Sequence, residues 1–186
     1  MVGLRVVAAG PSEESRGAPP NNSYLVDRLT HGVRAVRVIE AMRAHVIQTT
    51  PDATLRDVVD LMDLYQVSGL PVVEGDGRLV GIVTEHDVIE ALLKPYVHGA
   101  PEGGAELGAL VREVRGRLVR EAMKTPVVSI DESADVLDAA SLMLSHRIKR
   151  LPVTSEGRLV GVIGRIDICQ AILEDTVGGA AEPGEL

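Results

Sequence analysis

Residues 70–81, LPVVEGDGRLVG, decide the fold, because nearly the same string returns at residues 151–161 as LPVTSEGRLVG. Further upstream, the string EAM at 40–42 returns at 121–123. The copies lie 81 residues apart at their start and 80 apart at their end. The second copy therefore has one residue fewer in the turn between its Leu-Pro-Val and Gly-Arg-Leu-Val-Gly strings. Matches in the same order over such a length indicate an internal duplication.

Both copies predict the same order of elements, β-α-β-β-α. Short apolar strands are predicted at Val46–Thr49 and Val127–Ile130. Thr54 and Asp135 each precede an acidic residue by three positions, which is typical of the start of a helix. The repeated LPV strand then leads through a glycine-containing hairpin into a second strand. A last apolar helix is predicted in each copy, over residues 88–93 and 168–173.

One copy of roughly 55 residues buries too little apolar surface to be comfortably stable alone. We therefore predict an α/β (α+β) fold in which two β-α-β-β-α repeats pack with pseudo-two-fold symmetry. The linker between them is rich in glycine and proline and then predicts a helix at Leu107–Arg120. The predicted organisation is a partly disordered N-terminal extension (1–37), repeat 1 (38–93), linker with a helix (94–119), repeat 2 (120–173) and C-terminal tail (174–186).

Composition excludes several classes of partner. The net charge of −8 opposes binding to nucleic acid or an anionic membrane, and aromatic residues at 2% leave almost no platform for base stacking. No apolar run approaches the roughly 18 residues of a membrane helix. The single cysteine, Cys169, permits no internal disulfide, and its apolar helical neighbours predict that it is a core residue. We expect a cytoplasmic protein.

No sequence pattern indicates catalysis or a metal site. The chain contains no Walker loop, no nucleophile elbow and no HExxH helix. His45, His98 and His146 do not have the spacing of metal ligands to one another. We therefore predict no catalytic residue, no metal and no permanently bound cofactor.

The duplicated strings resemble a known family. An Ala-Met start, a Leu-Pro-Val strand, a Gly-Arg-Leu-Val-Gly arm and a terminal aspartate, each present twice, are similar to a tandem pair of cystathionine-beta-synthase (CBS) domains, or Bateman module. The resemblance covers about residues 38–173. It implies a regulatory module that binds an adenosine-containing ligand between the repeats: AMP, ADP or ATP, or a ligand of the S-adenosylmethionine or NAD type. It also implies a homodimer formed by CBS-CBS packing and an unidentified regulated protein.

The family's ribose motif, Gly-x-x-Thr/Ser-x-x-Asp, matches residues 81–87, with Thr84 and Asp87 in the defining positions. An ionised carboxylate can accept hydrogen bonds from both ribose hydroxyls. The same Thr-x-x-Asp spacing is also that of a helix capping box, so both interpretations stay open. The second copy departs from the pattern, because Gly164 stands where the hydroxyl is expected, although Asp167 is present.

The resemblance also implies which residues share each ligand cleft. One cleft joins Thr84 and Asp87 to Pro126, Val127, Ile148, Lys149 and Arg150. The other joins Asp167 and Arg165 to His45, Val46, Val67, Ser68 and Gly69. Lys149 and Arg150 would hold phosphate groups; alternatively, with Arg147, they form only a solvated basic face. A module with no ligand that serves dimerisation or protein interaction is the alternative function.

Overall fold

The computed structural model describes residues 35–97, 108, 111–112 and 114–177, and these form two compact units. The repeat-1 unit contains the described part of 47–127 together with 157–159, and the repeat-2 unit contains the other described residues. In chain order the elements are α1 (Val38–Ala41), α2 (Leu55–Tyr65), β1 (Gly69–Val73), β2 (Leu79–Thr84), α3 (Glu85–Val97), a 3-10 turn (Val119–Glu121), β3 (Ile130–Asp131), α4 (Val136–Ser145), β4 (Arg150–Ser155), β5 (Arg158–Gly164) and α5 (Arg165–Val177).

In the repeat-1 unit, local capping and strand pairing follow the sequence signals. Thr54 caps α2: its hydroxyl accepts the Asp57 N–H at 3.2 Å, and the Asp57 carboxylate accepts the Thr54 N–H at 3.0 Å. Strands β1 and β2 are antiparallel, with Gly69 opposite Thr84. Helix α3 then begins immediately after β2, so the end of this strand and the start of this helix share one turn.

The repeat-2 unit has the same pattern with a tighter hairpin. Asp135 caps α4 by accepting the Leu137 N–H at 2.8 Å. Strand β3 pairs in parallel with β4, and β4 and β5 are joined by Glu156-Gly157, both with positive φ. Such a two-residue turn matches the twist of a hairpin. The mixed α/β class is thus confirmed, and each unit repeats the same succession of helices and hairpin.

Each unit has an aliphatic core, as expected for a chain without Phe or Trp. Every element of a unit contributes to it, so helices and sheet are held by the same apolar contacts. The largest fully buried side chains are Leu55, Val58, Leu70, Val72, Val83 and Val119 in the repeat-1 unit, and Val38, Met143, Leu151, Val153 and Ile163 in the repeat-2 unit.

Three of the predicted elements are shorter than expected. In copy 1 the opening strand is reduced to Thr49, which pairs with Val72, and in copy 2 it is reduced to β3. Within the linker helix, residues 114–116 are helical, but the backbone then turns away. Arg117 O accepts the Leu55 N–H at 2.9 Å, so the backbone pairs with the start of α2 instead of continuing the helix. Residues 1–34 and 178–186, including the predicted disorder, lie outside the described part of the chain.

The segments that open each copy in sequence join the unit of the other copy. Val38 N–H donates to Ala134 O at 2.8 Å, and Arg43 pairs with Val162 of β5. In the repeat-1 unit Lys124 pairs with Ile82 of β2. The methionine before each of these cations packs on a strand glycine, Met42 on Gly161 and Met123 on Gly81. Among the described helices, none is both long and apolar enough to cross a membrane.

Candidate functional site

The turn between β2 and α3 holds Thr84 and Asp87 in direct contact. Asp87 Oδ2 accepts the Thr84 backbone N–H at 2.8 Å and the Thr84 hydroxyl at 2.6 Å. The arrangement follows from the i, i+3 spacing at a helix start, where unpaired N–H groups need acceptors. The capping-box interpretation is therefore correct for the protein as described, and it uses one carboxylate oxygen of Asp87.

The turn between β5 and α5 repeats this geometry without the hydroxyl. Asp167 Oδ2 accepts the Gly164 N–H at 2.8 Å, the same distance as in the first turn. A β-carbon added to Gly164 would lie 3.1 Å from Asp167 Oδ2. The backbone of the two turns is thus equivalent, and the second carboxylate has one local donor fewer.

The other oxygen of each aspartate faces a cation that follows the repeated EAM string. Lys124 Nζ lies 3.5 Å from Asp87 Oδ1 and 3.1 Å from Glu90 Oε2. Arg43 donates to Asp167 Oδ1 from Nε at 3.0 Å and from Nη2 at 2.8 Å. The hydrogen bond to Glu90 and the charge of Glu90, and then the charge of Asp87, raise the pKa of Lys124.

These two cations were missed by the sequence analysis. Arg43 and Lys124 occupy equivalent positions, 81 residues apart, so the duplication carried a signal that could have found them. The backbone of Arg43 pairs with Val162 of β5, and the backbone of Lys124 pairs with Ile82 of β2. These strands lead into the two turns, so the pairing places each cation beside its aspartate. The cations are more than half exposed, whereas the side chains of Asp87 and Asp167 are only 3% and 10% exposed. A buried carboxylate thus meets a cation that can move into solvent.

The remaining predicted site residues fall on both units. Beside the first turn, Ser68 O accepts the Glu85 N–H at 3.1 Å, and Gly69 contacts Thr84. Beside the second turn, Lys149 O accepts the Arg165 N–H at 3.2 Å. The repeat-1 unit holds Val67, Ser68, Gly69, Thr84, Asp87, Pro126 and Val127, and the repeat-2 unit holds His45, Val46, Ile148, Lys149, Arg150, Arg165 and Asp167. The predicted cleft partnerships that join residues of different units stay a prediction.

Lys149 and Arg150 are exposed and lie at the start of β4. Arg150 Cγ would lie 3.6 Å from a β-carbon on Gly164, so this cation stands beside the second turn. Pro126 is exposed and Val127 half-buried, a few residues after Lys124 in the same unit. The structure thus gathers a carboxylate, a cation and small or apolar side chains around the first turn, and a carboxylate with Arg43 and Arg150 around the second. Such a set can hold a ligand with hydroxyl and phosphate groups.

Comparison with known proteins agrees with this symmetric arrangement. The sequence profile of the CBS domain matches residues 33–94 and 119–174, which contain both repeats and both turns. This chain belongs to the CBS domain family. The resemblance that its duplicated strings suggested is therefore confirmed, and the chain is a tandem CBS pair.

Other proteins are similar to this CBS pair in sequence and in fold. The chain is 32% identical over 145 residues to inosine-5'-monophosphate dehydrogenase of Methanocaldococcus jannaschii, covering 77% of this chain and 25% of the enzyme. It is 28% identical over 142 residues to the chloroplastic CBSX1 of Arabidopsis thaliana, covering 70% of this chain and 59% of CBSX1. The chain thus spans a quarter and somewhat over half of these relatives. A crystal structure of CBSX2 in complex with AMP has a TM-score of 0.59 and 28% identity, covering 74% of this chain and 96% of that one.

Proposed function

We propose that this CBS pair is a regulatory, non-catalytic module that senses an adenosine-containing ligand, with AMP, ADP or ATP preferred to S-adenosylmethionine or NAD-type molecules. The observation that carries the proposal is the Thr84–Asp87 turn. Its carboxylate is nearly buried and accepts two donors at Oδ2, and an exposed cation lies 3.5 Å from Oδ1. The AMP complex of the related CBSX2 supports the choice of ligand class.

The chemistry of the turn suits a ribose. Ribose hydroxyls are donors, and a carboxylate whose orientation is already fixed loses little conformational freedom when it accepts them. The N-terminus of α3, the positive end of the helix dipole, lies at this turn and favours an anionic group nearby. In the proposed site Asp87 and Thr84 take the ribose, while Lys149 and Arg150 take phosphate at the site predicted from the family resemblance. Asp167 takes a second, weaker ligand.

A thermal-shift and calorimetric panel tests the proposal. The full chain is titrated with adenosine, AMP, ADP, ATP, S-adenosylmethionine and NAD. At least one should raise the melting temperature, since a ligand of the folded state stabilises by RT ln(1 + [L]/Kd). Asp87→Asn keeps the size and a capping acceptor but should weaken binding more than Asp167→Asn. The matched control is Asp63→Asn, at an exposed carboxylate of α2, which should leave the affinity unchanged.

The alternative, a ligand-free dimerisation or interaction module, is favoured by one observation. Leu93 of α3 and Leu173 of α5, equivalent in the two copies, are more than half exposed, and Ile89 and Ile166 are exposed with them. Apolar side chains on the last helix of each repeat suit packing against a second copy or a regulated protein. Absence of binding by every compound, together with a dimer in sedimentation that Leu173→Glu dissociates, would favour this alternative. A homodimer that also binds a nucleotide would support the proposed function, since the family resemblance implies both the ligand and CBS-CBS packing.

A further inference from the structure

The cation after each EAM string has a place in the site that the ribose motif does not explain. Lys124 and Arg43 occupy equivalent positions, and each reaches the aspartate of the turn on its own unit. They differ in type, ammonium against guanidinium, and share only positive charge and position. Their common feature is therefore the neutralisation of a carboxylate that is otherwise nearly buried.

The two oxygens of each carboxylate have separate roles. Oδ2 accepts the backbone N–H of the turn in both units, at 2.8 Å. Oδ1 is the oxygen that faces Lys124 or Arg43. A ribose hydroxyl that donates to the carboxylate therefore meets the cation at Oδ1, since Oδ2 already accepts the N–H at the start of the helix. Ligand binding is then an exchange of partners rather than the filling of an empty acceptor.

Charge decides whether that exchange is favourable. A neutral nucleoside offers hydroxyl donors to Oδ1 but gives the displaced cation no new partner. A nucleotide brings a phosphate, to which the displaced ammonium or guanidinium can form charge-assisted hydrogen bonds. Lys124 and Arg43 are 58% and 65% exposed, so their charged ends can turn without unpacking a core.

We propose that Lys124 and Arg43 are exchangeable counter-ions, which neutralise Asp87 and Asp167 in the empty module and pass to the phosphate when a nucleotide binds. The module thereby selects phosphorylated nucleosides over nucleosides. This inference rests on the proposed function, because it assigns a role within the same ligand site. The two turns differ in how strongly the cation is held. Arg43 donates two hydrogen bonds to Asp167 Oδ1, whereas Lys124 lies 3.5 Å from Asp87 Oδ1 and also pairs with Glu90. The Asp87 turn therefore exchanges its counter-ion more easily.

Calorimetric titration of Lys124→Met with adenosine and with AMP tests the exchange. Methionine keeps an apolar stem of similar length and removes the charge. AMP affinity should fall about tenfold, since a charge-assisted contact is lost. Adenosine affinity should rise by about threefold or more, since the competitor for Oδ1 is gone. The matched control, Arg115→Met, removes an exposed charge from the same unit and should change neither constant.

The outcomes separate this inference from the proposed function. If the unaltered chain binds AMP but Lys124→Met changes adenosine and AMP affinity by the same factor, the exchange is wrong and the ligand site stands. If adenosine binding weakens in Lys124→Met, the lysine supports the carboxylate rather than competing for it, and the exchange is again wrong. If the unaltered chain binds no compound of the adenosine panel, both proposals fail; if it binds a nucleotide other than AMP, that nucleotide replaces AMP in the comparison with adenosine. Arg43→Met repeats the test at the second turn and should change the AMP-to-adenosine preference there in the same direction.

Discussion

The hydroxyl that distinguishes the two turns can be exchanged between them. Thr84→Gly removes the 2.6 Å hydrogen bond to Asp87, and Gly164→Thr introduces the same group beside Asp167. The backbone geometry needed by threonine already exists at Gly164, because both turns hold their aspartate at 2.8 Å from the backbone nitrogen. Gly164 has no positive φ, so a side chain there meets no backbone strain.

The expected magnitudes follow from these contacts. A hydrogen bond to a charged group contributes about 1.5 to 3 kcal/mol, and an added glycine costs about 0.5 to 1 kcal/mol in backbone freedom. Thr84 is half-buried and Asp87 keeps its backbone donor, so the lower part of the range applies, about 2 to 3 kcal/mol for Thr84→Gly. Gly164→Thr should gain about 1 kcal/mol, because the new bond is offset by a β-carbon only 3.1 Å from Asp167 Oδ2.

Urea denaturation followed by circular dichroism measures both changes, and melting curves should shift by about 2 to 4 °C for each kcal/mol. Gly75→Thr is the matched control, because a β-carbon there has no atom within 4 Å and gains only the general effect of replacing glycine. If Gly164→Thr stabilises no more than Gly75→Thr, or if Thr84→Gly is neutral, the hydroxyl bond does not support the turn. The reasoning from equivalent geometry would then be refuted.

Four further predictions concern the cores and the helix starts. Gly161→Ala should lower the free energy of unfolding measured in urea by about 1 to 3 kcal/mol, because the added carbon would lie 2.5 Å from Met42 Sδ and 3.1 Å from the backbone oxygen of Arg43. Full rescue by Met42→Ala would show that the contact with the Arg43 oxygen costs nothing. Met143→Ala should cost about 2 to 5 kcal/mol, since the side chain is buried in the core of the repeat-2 unit, and a loss below about 1 kcal/mol would count against tight packing there. The hydroxyl of its N-cap threonine lowers the pKa of Asp57, so Asp57→Asn should lower the melting temperature at pH 7, with a difference that vanishes as the pH falls through the folded-state pKa. Partial loss of solvent, and then the charge of the N-cap residue Asp135, raise the pKa of Asp138, so Asp138→Asn should raise the melting temperature at pH 7 and lose that gain at low pH. If Asp57→Asn and Asp138→Asn shift the melting temperature at pH 7 in the same direction, one of the two assignments is wrong.

Sequence reasoning succeeded where the signal is local. The capping of α2 by Thr54 and Asp57, and the contact between Thr84 and Asp87, follow from residues three positions apart at the start of a helix. The tight hairpin at residues 156–157 follows from its glycine and its length. Such features depend on a few neighbouring dihedral angles, so the pattern of residue types is enough to predict them.

The pattern was insufficient where burial depends on the environment of a whole helix. Cys169 was predicted in the core from its apolar helical neighbours, and that prediction is wrong, because the residue is exposed. Ile166, one of those neighbours, is also exposed. Helical periodicity says which side chains share a face, but only packing against other elements decides which face is covered.

The sequence by itself determined the duplication, the order of elements in each repeat and the family to which they belong, because these reside in residue types and spacings along the chain. Only the tertiary structure decided that Arg43 meets Asp167 across 124 residues and that each EAM segment joins the unit of the other copy. Partners so far apart in sequence are chosen by which surfaces bury apolar area and satisfy backbone groups together. That choice is a property of the folded chain as a whole, and neither residue alone predicts it.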